Sequence, residues 1–157
     1  MLARVSTAAL PRYLWRVEQQ QKGPAAHESR FRVRYAETDQ MGVVYYANYL
    51  VWMEVGRVEL VRSLGLHYKE LEHSEGLYLA VVEANCRYIC PARYDQEICV
   101  ETSIRKSTDK LVEFSYRIRS LDPERLLADG NTRHIWLNRS WRPTRLPARY
   151  GDKLRLP

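Results

Sequence analysis

The segment from Asn48 to Leu64 constrains the fold more than any other part of the chain. Its apolar residues leave only a narrow polar stripe: Tyr49, Leu50, Val51, Trp52, Met53, Val55, Val58, Leu60, Val61 and Leu64. A helix that is apolar nearly all round must be buried nearly all round. Asn48 suits the N-cap of such a helix, and Gly65 suits the position after its C-terminus. The rest of the chain must therefore supply a sheet that covers a central helix.

Alternating apolar and polar residues predict strands on both sides of this helix. The first strand spans residues 30–38, a short second helix spans 67–73, and four strands follow at 78–88, 98–104, 112–118 and 126–137. Pro91 predicts a bulge or a strand end after the second strand. This order predicts an α+β fold in which an antiparallel sheet of about five strands wraps around a long central helix. One sheet edge is expected to stay open for a partner subunit.

The chain of 157 residues suits a single domain with extensions. Residues 1–29 are predicted to form a flexible or loosely docked extension, because a polar tract there ends in Gly23-Pro24. Residues 30–147 form the expected domain, and residues 148–157 a basic tail. No apolar run approaches the length of about 18 residues that a membrane helix needs, so no membrane insertion is expected. A cytoplasmic location is the corresponding expectation.

Charge and metal-ligand spacing exclude two classes of function. The net charge of +6 is concentrated at the two ends of the chain, whereas a nucleic-acid binder carries its basic stripe on the folded body. The three cysteines and four histidines show no metal-ligand or disulfide spacing, so no metal is expected. The basic C-terminal segment, with Arg142 and Arg145, either contacts a phosphorylated small molecule or is a solvated tail.

The segment between the first strand and the helix carries the chemistry. It places Asp39 in a glycine-containing loop just ahead of a helix N-terminus. That terminus offers unpaired backbone N–H groups and a positive dipole end, which can hold a carbonyl oxygen as it becomes an oxyanion. A carboxylate beside it can attack the carbonyl carbon or activate a water. Spacing alone leaves open whether Asp39 serves acyl transfer or is only a turn residue.

The same segment closely resembles the 4-hydroxybenzoyl-CoA thioesterase family of hotdog proteins, with the Tol–Pal-associated branch nearest. The matching residues are Tyr35, Thr38-Asp39, Gly42, Val43-Val44-Tyr45 and Asn48-Tyr49. The resemblance extends over about residues 30–147, close to a whole domain length. It implies a hotdog fold, a homodimer or homotetramer, and hydrolysis of an acyl-CoA thioester without a cofactor.

The resemblance also implies roles for individual residues. Asp39 acts as nucleophile or general base, and the backbone N–H of Tyr46 polarises the thioester carbonyl. Tyr35 either positions Asp39 or the acyl group or packs as a strand aromatic. The expected substrate contacts are Gly42, Val43, Val44, Tyr45 and Asn48, with Arg142 and Arg145 on the CoA phosphates. The Tol–Pal branch often has His where this chain has Tyr46, so the resemblance leaves aromatic and aliphatic acyl groups both open.

Several alternatives stay open at this point. One alternative is that the chain is a non-catalytic acyl-CoA-binding module. Another is that it is a thioesterase that acts on acyl carrier protein or aryl-CoA substrates. Glu54 and Glu59 of the helix are either catalytic carboxylates or ion-pair partners of Arg57 and Arg62. A hotdog dehydratase is disfavoured, because Val44 stands where that motif has His. His134 is expected to be a core histidine.

Overall fold

Helix α1 (Asn48–Ser63) lies across one face of a five-stranded antiparallel sheet in the computed structural model, which describes residues 26–154. The strands are β1 (Ala26–Arg32), β2 (Tyr78–Tyr88), β3 (Glu97–Ser107), β4 (Leu111–Leu121) and β5 (Glu124–Leu137), in the order β1-β3-β4-β5-β2. Every neighbouring pair is antiparallel. The predicted α+β architecture is confirmed, and β1 and β2 are the two edges of the sheet.

Contact between α1 and the sheet is closest at Gly56. A Cβ atom at this position would lie 2.3 Å from Oγ1 of Thr102 and 2.9 Å from Cγ1 of Val100, so only glycine allows this approach. The core below the helix includes Trp52, Met53 and Leu60, all of which are buried. Leu50, Val51 and Val55 on the opposite side of α1 are exposed, and no element within residues 26–154 covers them. The predicted all-round burial of α1 is therefore incomplete within the described part of the chain.

The outer face of the sheet carries a network of ion pairs. Arg119 contacts Glu101, Glu28 and Glu124. Arg133 contacts Glu83 and Glu113, and Glu113 also binds Arg105. Arg87 and Asp129 pair across β2 and β5. This face is consequently charged and solvated, whereas the inner face carries the apolar core.

Strand β2 has the predicted bounds but not the predicted alternation. A register shift between Val81 and Glu83 breaks its pairing with β5. Beyond the shift, Ala84 and Cys86 pair with Thr132 and Gly130 on the inner face. Because of this bulge, the residues that the sequence placed on one continuous face are divided between the two faces of the sheet.

The sequence-based bounds of β1 and of the domain need correction. The predicted strand over residues 30–38 is wrong at both ends, because β1 spans Ala26–Arg32 and a 3₁₀ turn follows at Tyr35–Glu37. Residues 26–29 therefore belong to the sheet, while residues 1–25 of the expected extension lie outside the described part. Helix α3 (Ala148–Leu154) occupies most of the expected tail, and Leu154 packs into the core.

The remaining helical segment follows Gly65, which adopts the expected left-handed conformation with φ +74°. A short helix α2 (Tyr68–Glu70) continues into a π-helical turn (Leu71–Glu75), close to the predicted second helix. The predicted N-cap is wrong: Ala47 holds that position, and Asn48 is already helical. Within residues 26–154 no helix has the length and apolar character needed to cross a bilayer.

Candidate active site

Asp39 lies in a tight loop between the 3₁₀ turn and α1. Its backbone N–H donates to the Val43 carbonyl and its own carbonyl accepts from Gly42 N–H, both at 2.9 Å. One carboxylate oxygen, Oδ1, accepts from the Met41 N–H at 2.8 Å. Gly42 has φ +72°, which side chains rarely adopt, so the glycine permits this loop. Asp39 is half-buried, and its second oxygen makes no hydrogen bond among the described residues.

Glu37, two residues before Asp39, anchors the loop. Its side chain is 5% exposed, and its carboxylate accepts from the Arg34 N–H at 2.7 Å and from the Trp52 indole N–H at 3.0 Å. The Arg34 guanidinium adds a third bond at 3.0 Å. Burial alone raises the pKa of the Glu37 carboxyl, but these bonds outweigh it and hold the pKa below the ordinary value. Sequence reasoning missed this residue, because a glutamate inside an alternating segment looks like a solvent-facing strand position.

The start of α1 presents free backbone donors beside this loop. The N–H groups of Tyr46 and Ala47 have no acceptor among the described residues. The Tyr45 N–H and the Asn48 side-chain amide both donate to the Glu37 carbonyl, at 2.9 and 2.8 Å. Asn48 therefore ties the helix to the Asp39 loop instead of capping it. Free N–H groups at a helix start suit a developing negative oxygen.

Aromatic rings form one wall of this site. Tyr46 is 60% exposed, and its carbonyl accepts from the Tyr88 hydroxyl at 3.1 Å. Burial, and then the nearby Cys86 thiol, raise the pKa of Tyr88 to about 12, so it remains a donor at neutral pH. The Tyr49 ring packs edge-on against Tyr88 at 5.2 Å, and the Tyr49 hydroxyl accepts from the Ala92 N–H at 3.0 Å. These contacts tie the helix start to the C-terminal end of β2.

The other loop residues predicted for the site divide into two groups. Val43 is half-buried and Tyr45 is exposed against the Tyr46 ring, so both border the site. Val44 is a core residue that bridges to Thr38, and it supports the loop from below. Tyr35 is exposed and packs on Tyr94 at 5.6 Å; no contact joins its side chain to Asp39.

Arg142 and Arg145 lie at the other end of the sheet within one chain. They follow Leu137, which pairs with Tyr78 at the start of β2, whereas the Asp39 loop packs near Ala92, beyond the end of β2. Arg145 forms an ion pair with Asp109, and Arg142 is exposed. The structure therefore does not bring these two arginines to the Asp39 of their own chain.

The helix carboxylates behave differently from each other. Glu59 pairs with Arg62 as expected. No ion pair forms between Glu54 and Arg57, so that expected pair is wrong. His134 is fully buried, and its Nε2 lies 2.8 Å from the Thr132 hydroxyl, which agrees with a core histidine.

A half-buried carboxylate beside free helix N–H groups can perform acyl transfer on a bound carbonyl. Within residues 26–154 no cluster of side chains has the composition of a metal site. The two parts of the site come from contiguous sequence, and Glu37 and Asn48 fix their relative position.

A sequence profile and a curated relative both relate this chain to thioesterases. A sequence profile described as "Thioesterase superfamily" matches residues 41–127. The Bacillus subtilis protein YneP, provisionally named an acyl-CoA thioesterase, is 37% identical over 126 residues, which cover 80% of this chain and 90% of YneP.

Solved structures share the architecture. A DHNA-CoA thioesterase from Staphylococcus aureus superposes with a TM-score of 0.76 at 30% identity, covering 81% of this chain and 85% of its own. The 4-hydroxybenzoyl-CoA thioesterase from Pseudomonas sp. strain CBS-3 superposes with a TM-score of 0.75 at 20% identity, covering 82% and 99%. The second match shows the fold alone. Both support the hotdog architecture that the sequence predicted.

Proposed function

Because this chain belongs to the thioesterase superfamily, we propose that it hydrolyses acyl-CoA thioesters at the Asp39 loop. The observation that carries this proposal is the half-buried Asp39 carboxylate, with one oxygen held by Met41 N–H, in the same loop as the Tyr46 N–H, which has no acceptor within residues 26–154. A non-catalytic binding module has no use for a carboxylate held in this way. The coarser activity, thioester hydrolysis, agrees with the names of the relatives.

The proposed reaction uses the site in two steps. The thioester carbonyl oxygen accepts from the Tyr46 N–H, which stabilises the negative charge that develops when the carbonyl carbon is attacked. Asp39 attacks that carbon directly, or it takes a proton from an attacking water. The C–S bond then breaks, the CoA thiolate leaves and takes up a proton, and the acyl group ends as a free carboxylate. If Asp39 attacks directly, water hydrolyses the resulting anhydride.

Thiol release from a panel of acyl-CoAs tests the proposal with wild type and Asp39→Asn. The asparagine keeps an oxygen for the Met41 N–H, so the loop is expected to persist while kcat falls by at least about a hundredfold. Asp95→Asn is the matched control, because Asp95 is an exposed loop aspartate with φ 64°. Full activity of Asp39→Asn would refute the proposed role, and binding without turnover in wild type would favour the binding module.

Glu54 is the second candidate carboxylate, because it is exposed on the open side of α1 and forms no ion pair within residues 26–154. Glu54→Gln is expected to keep kcat within about threefold of wild type if Asp39 carries the reaction. A hundredfold loss in Glu54→Gln, together with an active Asp39→Asn, would transfer the chemistry to the helix. The same panel, extended to acyl groups on acyl carrier protein, shows whether the enzyme prefers CoA thioesters or acyl carrier protein thioesters.

We further propose that the enzyme is a homodimer formed by two copies of edge strand β2. This edge spans 11 residues, contains no proline, and exposes Val81 and Val82 by 53% and 51%. Monomeric proteins usually shield such edges with charge or proline. Edge strand β1 is only seven residues long and carries Arg30 and Arg32, whereas the Val81–Val82 stretch of β2 carries no charge. A second copy that pairs antiparallel with β2 joins the two sheets into one.

Sedimentation velocity tests this assembly with a pair of variants. Val82→Glu places a charge on the β2 edge and is expected to give monomers, whereas Val55→Glu places one on the exposed side of α1 and is expected to leave dimers. Dimers in Val82→Glu and monomers in Val55→Glu would show that the subunits contact each other through α1 instead. A larger species that only Val55→Glu reduces to a dimer would identify a tetramer that assembles through α1.

A further inference from the structure

A cavity of about 560 Å³ opens beside the C-terminal half of α1, at the Leu79 end of β2. Its inner wall is formed by five residues that are buried or half-buried: Arg57, Val58, Leu66, Tyr68 and Leu79. The other charged residues around it, Glu54 among them, are exposed at its rim. The volume lies within the range of small-molecule sites. Arg57 is therefore the one charged residue on the inner wall of a cavity whose rim is charged.

No carboxylate among residues 26–154 forms an ion pair with Arg57. Its guanidinium lies near the hydroxyls of Tyr68 and Tyr116, where it partly opposes the rise in their pKa that burial causes. The Tyr68 hydroxyl is buried and makes no hydrogen bond of normal geometry within the described residues. Arg57 thus offers N–H donors that no carboxylate among residues 26–154 accepts, whereas the Tyr68 hydroxyl is too deeply buried to reach a ligand in the cavity.

Behind Arg57 lies a chain of neutral groups. The Tyr116 hydroxyl is 2.7 Å from Oγ1 of Thr132, which is 2.8 Å from Nε2 of His134. Burial first, and the Arg57 charge second, lower the pKa of His134 to about 3, so it is uncharged at neutral pH. Among residues 26–154, the groups behind Arg57 therefore carry no negative charge. A half-buried cation in this setting is best matched by an oxygen acceptor from a ligand.

Strand β2 relates this cavity to the catalytic loop. The start of α1 lies at the Tyr88 end of β2, and the cavity lies at the Leu79 end. These ends are nine residues apart, about 30 Å of strand. When two copies of β2 pair antiparallel, the start of one strand lies beside the end of the other. The partner subunit's Arg57 cavity is thereby placed beside Tyr46 and Asp39 of the first.

We propose that this cavity receives the far end of the acyl group, with the thioester on Asp39 of the other subunit. This inference rests on the proposed function and on the β2 dimer. Arg57 then selects acyl groups that carry an oxygen acceptor away from the thioester. A terminal carboxylate and a ring hydroxyl both supply that chemistry. Arg57 is a specificity-determining residue and takes no part in breaking the C–S bond.

Two matched substrate pairs test the selection: adipoyl-CoA against hexanoyl-CoA, and 4-hydroxybenzoyl-CoA against benzoyl-CoA. Wild type is expected to favour the oxygenated member of at least one pair by about tenfold or more in kcat/KM. Arg57→Met is expected to reduce that preference below about threefold, whereas Arg125→Met, an exposed β5 arginine, keeps it. The pair that responds identifies the acceptor, carboxylate or ring hydroxyl. A preference that is absent in wild type or unchanged in Arg57→Met overturns the proposal.

Binding to Asp39→Asn separates this proposal from the proposed reaction. Calorimetry with the same four acyl-CoAs measures the preference whether or not any of them is hydrolysed. A preference in binding that Arg57→Met removes supports the cavity even if Asp39 is not the catalytic group. Equal affinities within both pairs would refute the cavity while leaving the reaction standing.

Subunit mixing tests the crossing between chains. Refolding equal amounts of Asp39→Asn and Arg57→Met chains gives about half heterodimers, each with one site that holds both native residues. About a quarter of wild-type activity toward the preferred oxygenated substrate is then expected, since one site in four is intact. If Arg57 acted on the Asp39 of its own chain, mixing would restore nothing beyond the average of the two parents.

Discussion

Replacing Glu37 by glutamine tests whether the Asp39 loop depends on this buried carboxylate. Glutamine has the same shape but only one acceptor oxygen, whereas Glu37 accepts from Arg34 N–H and from the Trp52 indole through different oxygens. The amide NH₂ must then face one of these donors. Leaving a buried donor unpaired costs about 2 kcal/mol of unfolding free energy. For a domain of this size that lowers Tm by about 4–8 °C.

Activity and stability are measured on the same Glu37→Gln preparation. Because the Glu37 carbonyl also holds Tyr45 and Asn48, movement here displaces Asp39 relative to the Tyr46 N–H. We expect kcat to fall by about tenfold or more with KM changed less. Trp52→Phe removes the indole donor, so the double variant is expected to lose about 1 kcal/mol less than the sum of the single variants. Wild-type Tm and kcat in Glu37→Gln would refute the reasoning.

The lowered pKa of Glu37 fixes the sign of a pH effect. The folded state favours the ionised carboxylate, so its stabilisation is full above the unfolded pKa, about 4.3, and is lost as pH falls through the lower folded value. Urea unfolding of wild type and Glu37→Gln between pH 6 and pH 3 measures this. The stability difference between the two proteins should shrink toward acid pH. A difference that grows would contradict an ionised Glu37.

Three further predictions concern the fold. Gly56→Ala should lose about 1–3 kcal/mol in urea unfolding, because its Cβ meets Thr102; a gain, as helix propensity alone predicts, would contradict the close approach. The pKa of His134 is lowered to about 3, so its neutral form stabilises the fold above pH 6.5 and this stabilisation is lost as pH falls. Wild type should lose about 2 kcal/mol between pH 6.5 and 5, and His134→Gln should lose less; equal slopes in urea unfolding would exclude His134 as the cause. Arg119→Met should cost about 1 kcal/mol at low salt and less at 1 M NaCl, whereas a cost independent of salt in thermal unfolding would indicate lost packing.

The sequence predicted those structural elements that are determined by residues close to one another in the chain. The apolar pattern of α1, the turn residue Gly65 and the alternation of β3 and β4 each depend on neighbours in the chain, and all three are confirmed. The bounds of β2 were predicted correctly, but its bulge was not, because the bulge depends on pairing with β5.

Errors arose where a distant contact decides the local structure. Alternation predicted a strand through Thr38, but the Glu37 carboxylate turns back to bind Arg34 N–H and the indole of α1, which favours a 3₁₀ turn. Asn48 has the composition of a cap but donates to Glu37 instead. The end of the sheet at which Arg142 lies follows from strand order, which no motif in the chain encodes.

The outer face of the sheet has a practical consequence. Its ion pairs lie on the side of the sheet opposite α1. Except for those at the β2 edge, they also lie away from the Asp39 loop. Side chains on this face therefore interact mainly with their immediate charged neighbours. A surface-immobilised enzyme could be attached through this face with the Asp39 loop left open to solution.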